Sequence, residues 1–211
     1  LKTGNQALMN FLRYYIRYLI LISFIFGALT GVGIWFSISL VGPEATSGLI
    51  HQYVWGWATE WVFFFVEIIA GYIWYYTWGR MEPKKHLIIG VIYAISAWMS
   101  RFIINGILTF MLSPCDWIET RSFWDGFFNP TYWPSLVLRT ISCLAIAAIF
   151  VCVAVNINKG YTREERQEII NESSLWLVPL ALMVPISIWY LSQTPEEARA
   201  LVQGGAIAMT L

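Results

Sequence analysis

Four charged residues interrupt long apolar runs: Glu60, Glu67, Arg101 and Arg139. Ionisable groups at membrane depth are costly, and they commonly mark proton, ion or electron pathways. Glu60 and Glu67 are seven residues apart and Arg101 and Asn105 four apart, so each pair shares one face of its helix. Paired carboxylates can take and pass protons. A guanidinium beside them can hold an anionic group such as a haem propionate, or a quinone head group. A structural role competes with this chemistry, because opposite charges can neutralise each other in low dielectric and specify how helices meet.

Composition defines the setting. The chain has 211 residues, of which 58% are hydrophobic, 17% aromatic and only 12% charged. Mean hydropathy is +0.60. Soluble domains carry about 25% charged residues, so this composition belongs to a polytopic membrane protein. Net charge is zero, which gives no argument for a nucleic-acid partner. Cys115, Cys143 and Cys152 form no CxxC pair, so neither a zinc knuckle nor a redox dithiol is expected, and without CxxCH no covalent c-type haem is expected either. The first residue is Leu1 rather than Met, as in a piece of a longer chain.

Crossing a bilayer as a helix takes about 20 mostly apolar residues. Five stretches qualify, near residues 14–40, 53–79, 87–112, 133–157 and 174–191. The expected fold is an all-α transmembrane bundle, with one domain over residues 1–191 and a short outer tail over 192–211. The first helix carries Gly27 and Gly31 at the small-xxx-small spacing that lets helices approach closely. Pro179 and Pro185 should kink the fifth. Thr194, Pro195, Glu196 and Glu197 read as the start of a short helix, and the apolar end GGAIAMTL is too short to cross.

Nine of the thirteen Lys and Arg residues flank the helices on one side: Lys2, Arg13, Arg17, Arg80, Lys84, Lys85, Lys159, Arg163 and Arg166. The positive-inside bias makes that side, and the N-terminus, cytoplasmic. The aromatics Trp117, Trp124, Tyr132 and Trp133 then form an interfacial belt outside.

A turn centred near Pro83 or Lys84 places Glu67 level with Arg101 near the bilayer middle and Glu60 level with Asn105 about two turns nearer the outside. Arg139, some six residues into the fourth helix, falls near that outer level. His51 and His86 occupy opposite ends of their helices. They cannot clasp one haem, so the pairing of a bis-His transmembrane haem is absent. Each histidine remains open to an interfacial or a ligand role.

The segments FIFGALTGVGIWFSISLVG and EWVFFFVEIIAGYIWYYTWGRMEPKKHLIIGVIYAISAW resemble subunit I of the cytochrome bd quinol oxidases. That family has a GxxTG helix, a helix with two glutamates running into GWDRL, a histidine opening the next helix and an SAxW segment. Their counterparts are Gly27 to Gly31, Glu60 and Glu67, TWGRM with Arg80, His86, and Ser96 to Trp98. NPTYWPSLVLRTISCLAIAAIF resembles the helix that follows, and the likeness runs over about residues 14–155. It implies that Glu60 and Glu67 lie beside high-spin haems, one as a ligand candidate and one on a proton path. Arg139 stands at about the place of the low-spin haem's axial histidine. Counterparts of the family's first helix, quinol-binding loop and Met ligand are not in this sequence, so a complete oxygen reductase is not expected from it.

These readings converge on a cytochrome bd-like subunit of a multi-subunit respiratory complex in a bacterial-type inner membrane. Its expected cofactors are a quinone or haem b, and its expected partners are lipid, other membrane subunits, and cytochrome c or iron-sulfur subunits. A quinone or haem cavity is expected at the outer leaflet, where Glu60, Arg139 and His51 converge. Glu60, Glu67 and Arg101 would do the proton chemistry, while His51, His86, Glu67, Asn105 and Arg139 would hold the cofactor. The alternative is a cofactor-free anchor that docks redox partners, which Arg139 in place of an imidazole favours. A transporter is a weaker reading, because no inverted repeat or broken helix pair is evident.

Overall fold

The computed structural model describes residues 6–158 and 160–202. Among the described residues there are helices and no strands. The order is α1 (Gln6–Val41), α2 (Pro43–Gln52), α3 (Val54–Tyr76), α4 (Pro83–Leu112), α5 (Trp117–Thr120), α6 (Phe123–Phe127), α7 (Tyr132–Ile157) and α8 (Arg163–Ser174). A 3₁₀ stretch (Leu175–Leu182), α9 (Met183–Gln193) and α10 (Glu196–Val202) complete it. Five helical spans are long and apolar enough to cross a membrane. The chain is a multi-pass, all-α membrane protein. The GGAIAMTL segment lies outside the described residues.

Local chemistry explains the helix boundaries. Pro43 and Pro83 stand in the first turns of α2 and α4, where the missing N–H costs nothing. Thr162 and Glu165 form a reciprocal capping box that starts α8. That cap launches a polar helix running directly into the last span, which therefore begins at Arg163 rather than near residue 174. Pro179 sits in the 3₁₀ stretch. Its ring clashes with the carbonyl four residues back and removes a donor, so the tighter helix takes over. The irregularity expected of the fifth helix is present.

The helix α1 has 36 residues, about 54 Å at 1.5 Å per residue, against a hydrocarbon slab of about 30 Å. It must tilt or project into the aqueous phase. No described residue comes within 4 Å of a methyl built on Gly27 or Gly31. The close approach expected there occurs instead between α3 and α4, where a Cβ on Gly90 would stand 2.9 Å from Trp74 Nε1. Spacing shows that a small-residue face exists; only the neighbouring helix decides whether it is used.

The antiparallel pair α3 and α4 positions the half-buried charges Glu60, Glu67 and Arg101. They join through a turn at residues 77–82, where Gly79 takes φ +74, a left-handed value that a side chain would oppose. Across the pair, His86 meets Trp74, Ser100 meets Glu60, and Ile107 meets Gly56. These contacts are symmetric about residues 80–82, not Pro83 or Lys84. Pro83 belongs to the helix and not to the turn, which moves each level partner by more than one helical turn.

Two buried clusters tie the remaining helices together. The outer one joins Leu49, Tyr53, Ile103, Ile107, Phe127, Tyr132 and Leu136 from α2, α4, α6, α7 and the α2–α3 junction. The other joins Phe11, Val151, Val155 and Ile169 at the opposite end.

Candidate functional site

Glu60 and Glu67 lie about two and four turns into the apolar length of α3, and Ser100 and Arg101 lie beyond the midpoint of α4. Ser100 Oγ donates to Glu60 Oε1 at 2.7 Å. The charges of Arg101 and Glu60 both act on Glu67, which in turn acts on the Tyr93 phenol. Yet among the described residues the ion pair within 4.0 Å is the exposed Lys85–Glu82. Glu67 and Arg101 are coupled through space without direct contact, and Arg101 makes no hydrogen bond to a described residue. A guanidinium at the centre of a membrane helix costs about 3 kcal/mol on insertion scales, and its five N–H donors accept only anionic or polar partners. The arrangement is suited to an outside acceptor.

Asn105 is not level with Glu60. It is fully buried and binds α7. Its Nδ2 donates to the Tyr132 carbonyl at 3.0 Å, and Ser135 Oγ donates to its Oδ1 at 2.9 Å. Arg139 Nε donates to the same Ser135 Oγ at 3.2 Å. Asn105 and Arg139 are therefore linked through Ser135, while the Arg139 side chain remains exposed on the chain's surface. Sequence reasoning missed Ser135, although the Ser135/Arg139 spacing of four was visible.

The histidines stand apart from these charges. The ring of His51, at the end of α2, is exposed, with Nδ1 donating to the Ser47 carbonyl at 2.7 Å. No contact joins it to Glu60 or Arg139 among the described residues. His86 is buried in the first turn of α4, stacked on Trp74 and edge-on to Trp78. Its Nε2 donates to the Trp74 carbonyl at 2.8 Å. That carbonyl lies in the last turn of α3, where intrahelical donors run out, so His86 acts as a C-terminal cap. Replacing His86 by Ala should lower stability by about 1–2 kcal/mol, the cost of the lost bond. Thermal unfolding in detergent measures this; a visible spectrum that changes as well would assign the ring to a cofactor instead.

A bis-imidazole haem does not fit these residues. The two rings lie at opposite ends of the hairpin, and both are committed to backbone carbonyls. Outside the spans, burial and then the neighbouring Asp116 push the Cys115 thiol up, which keeps it protonated and unreactive.

At the end of the bundle opposite the α3–α4 turn, the outer one by the positive-inside bias, α3, α4 and α6 border an open hollow of about 670 Å³ walled by Trp55, Trp124, Phe127 and other aromatics. Gln52, Thr59 and Arg121 supply its polar groups. The Arg121 guanidinium also lies 4.5 Å from the Trp117 ring. Thr59 and Phe102, both in the wall, immediately neighbour Glu60 and Arg101 in the chain. Behind Phe123 and Phe127, the buried Tyr53 hydroxyl lacks a protein partner. The sequence places Trp117, Trp124, Tyr132 and Trp133 in an interfacial belt and an outer cavity around Glu60, Arg139 and His51; the hollow is lined by none of those three and takes only Trp124 of the four aromatics, because the short helix α6 folds back over α3 and α4.

The described geometry is thus an antiparallel helix pair with two carboxylates and an arginine in its apolar length, the arginine without a direct ion pair among the described residues, capped by an aromatic hollow. No curated protein and no solved structure matches the chain. The family profile for cytochrome bd terminal oxidase subunit I matches residues 1–203, nearly the whole length. The chain belongs to the cytochrome bd terminal oxidase subunit I family.

Proposed function

We propose that this membrane respiratory oxidase-like subunit works in a multi-subunit complex that oxidises quinol, and that its carboxylates handle the protons released. Its membrane is the bacterial-type cytoplasmic membrane. The observation that carries the reading is Arg101, whose charge reaches Glu67 as that of Glu60 does, yet which makes no ion pair or hydrogen bond among the described residues. Quinol oxidation releases two electrons and two protons, so a carboxylate near the head group serves as the base. The outer hollow takes the quinone ring between its aromatic walls, with Gln52, Thr59 and Arg121 as hydrogen-bonding groups. Glu60 takes a proton, Glu67 passes it on, and Arg101 holds the negative charge that develops. Asn105 and Ser135 position Arg139. The electrons leave to haem- or iron-sulfur-bearing subunits, a cytochrome c among the candidates.

A second reading, a cofactor-free anchor, is favoured by two specific observations. His86 is spent on a helix cap, and Arg139 stands where the family resemblance calls for an imidazole. The two readings separate on the reduced-minus-oxidised visible spectrum of the purified chain and of its complex. Haem bands that require this chain support the first; bands that persist in a complex lacking it support the anchor. Quinol titration of the complex with Thr59→Phe, which fills the hollow, should raise KM more than it lowers kcat.

A further inference from the structure

At the end of the bundle that carries most Lys and Arg, two hollows run into each other between α1 and α7. One, of about 450 Å³, is polar and is lined by Asn10, Arg13, Asn158 and Gly160 together with Tyr14 and Tyr161. The other, of about 330 Å³, shares Tyr14, Asn158 and Tyr161 and continues along the apolar faces of the two helices past Tyr18, Phe150 and Ala154. The polar part lies at the ends of the spans, where a membrane surface would be; the apolar part descends toward the hydrocarbon. Tyrosines mark the boundary, as amphipathic rings do at bilayer interfaces.

Charge distinguishes this cleft from an ordinary lipid-facing groove. Arg13 is exposed and has no partner among the described residues. Nearby, Arg166 Nη2 donates to the Asn158 carbonyl at 3.1 Å, and its buried Nε has no partner. The carboxylate that acts on Tyr161 is Glu165, whose Oε2 accepts the Thr162 N–H in the α8 capping box. Its charge therefore faces the helix start and only partly offsets the two arginines.

We propose that this cleft binds one anionic phospholipid, its phosphate in the polar hollow against Arg13 and one acyl chain in the groove beside Phe150 and Ala154. Basic clefts between transmembrane helices on the cytoplasmic side suit anionic headgroups, and the adjoining apolar groove selects a lipid over a free phosphate. The site is remote from the redox residues, so it stands or falls separately from the proposed function.

The test is native mass spectrometry of the purified protein, with its complex where that is what purifies, after exchange into dioleoylphosphatidylglycerol or dioleoylphosphatidylcholine. Wild type should retain one phosphatidylglycerol in preference to phosphatidylcholine. Arg13→Gln should cut that retention about five-fold, the weight of one basic residue at an anionic surface, while Arg13→Lys keeps most of it. Arg17→Gln, on the same helix but outside both hollows, should change little. Ala154→Phe, which fills the groove without touching charge, should reduce retention as much as Arg13→Gln does. Equal retention of the two lipids overturns the proposal, as does an Arg17→Gln loss matching that of Arg13→Gln. Displacement by glycerol phosphate as readily as by lipid also overturns it. If Arg13→Gln does not fold, the Ala154→Phe and Arg13→Lys comparisons decide.

Discussion

Replacing Glu67 by Gln should lower quinol-dependent electron transfer by about 10²-fold or more, the range over which a positioned proton acceptor contributes, while the complex still assembles. Gln keeps the volume and the hydrogen-bonding shape of Glu but cannot take a proton at neutral pH. Glu67 is the carboxylate on which both Glu60 and Arg101 act, and it has no hydrogen bond of its own among the described residues. Glu60→Gln should cost less, because Ser100 already holds that side chain by a 2.7 Å hydrogen bond that the amide oxygen can accept. The measurement is turnover with a soluble quinol in membranes, normalised to the amount of assembled subunit. Wild-type turnover in Glu67→Gln would end the proton-handling proposal. Loss of assembled subunit together with turnover would assign the residue to packing, as the structural role of neutralised charges requires.

Gly106→Ala should destabilise the outer end of the bundle by about 1–3 kcal/mol, the usual cost of inserting a methyl into a filled core. A Cβ there would stand 2.6, 2.7 and 2.8 Å from three ring atoms of Phe127. That ring cannot swing aside, since Tyr53, Phe123, Phe128 and Tyr132 surround it. Phe127 is also a wall of the outer hollow. A shift large enough to relieve the clash should therefore weaken quinol binding as well as lower the thermal midpoint. Gly27→Ala is the matching control. No atom of the described residues outside its own turn of helix lies within 4 Å of its added methyl, so a change within about 0.5 kcal/mol is expected. If Gly27→Ala is the more damaging substitution in the complex, then the α1 face is covered by another subunit and not by lipid.

Much of the architecture was legible because the bilayer imposes it. A span needs length and apolarity, and both can be counted along a chain. The helices over 53–79, 87–112 and 133–157 correspond to α3, α4 and α7, with ends displaced by up to four residues. The last span was underestimated because the polar sequence REERQEIINESS reads as surface; its Thr162 and Glu165 cap makes it a helix regardless of hydropathy. The identity of the charged residues within the spans was equally plain, since a charge within an apolar run stands out against its neighbours.

Their partners were not. The pairing of Glu60 with Asn105 depended on where the α3–α4 hairpin turns, and a proline at the start of a helix looks in sequence much like a proline in a turn. Placing Pro83 in α4 delivers Glu60 to Ser100 and leaves Asn105 to α7. His86 and Gly27 illustrate the same limit: a residue type advertises a capability, and its neighbours determine whether a ring caps a helix or a glycine admits one.

Membrane residence, the number of spans and the presence of costly charges within apolar runs followed from the order of residue types, because hydrocarbon penalises polarity residue by residue. Which polar group each charge meets, which carbonyl each histidine is spent on, and where an aromatic hollow opens were decided by tertiary structure. Those outcomes depend on the register between helices, and a displacement of a few residues exchanges one polar partner for another.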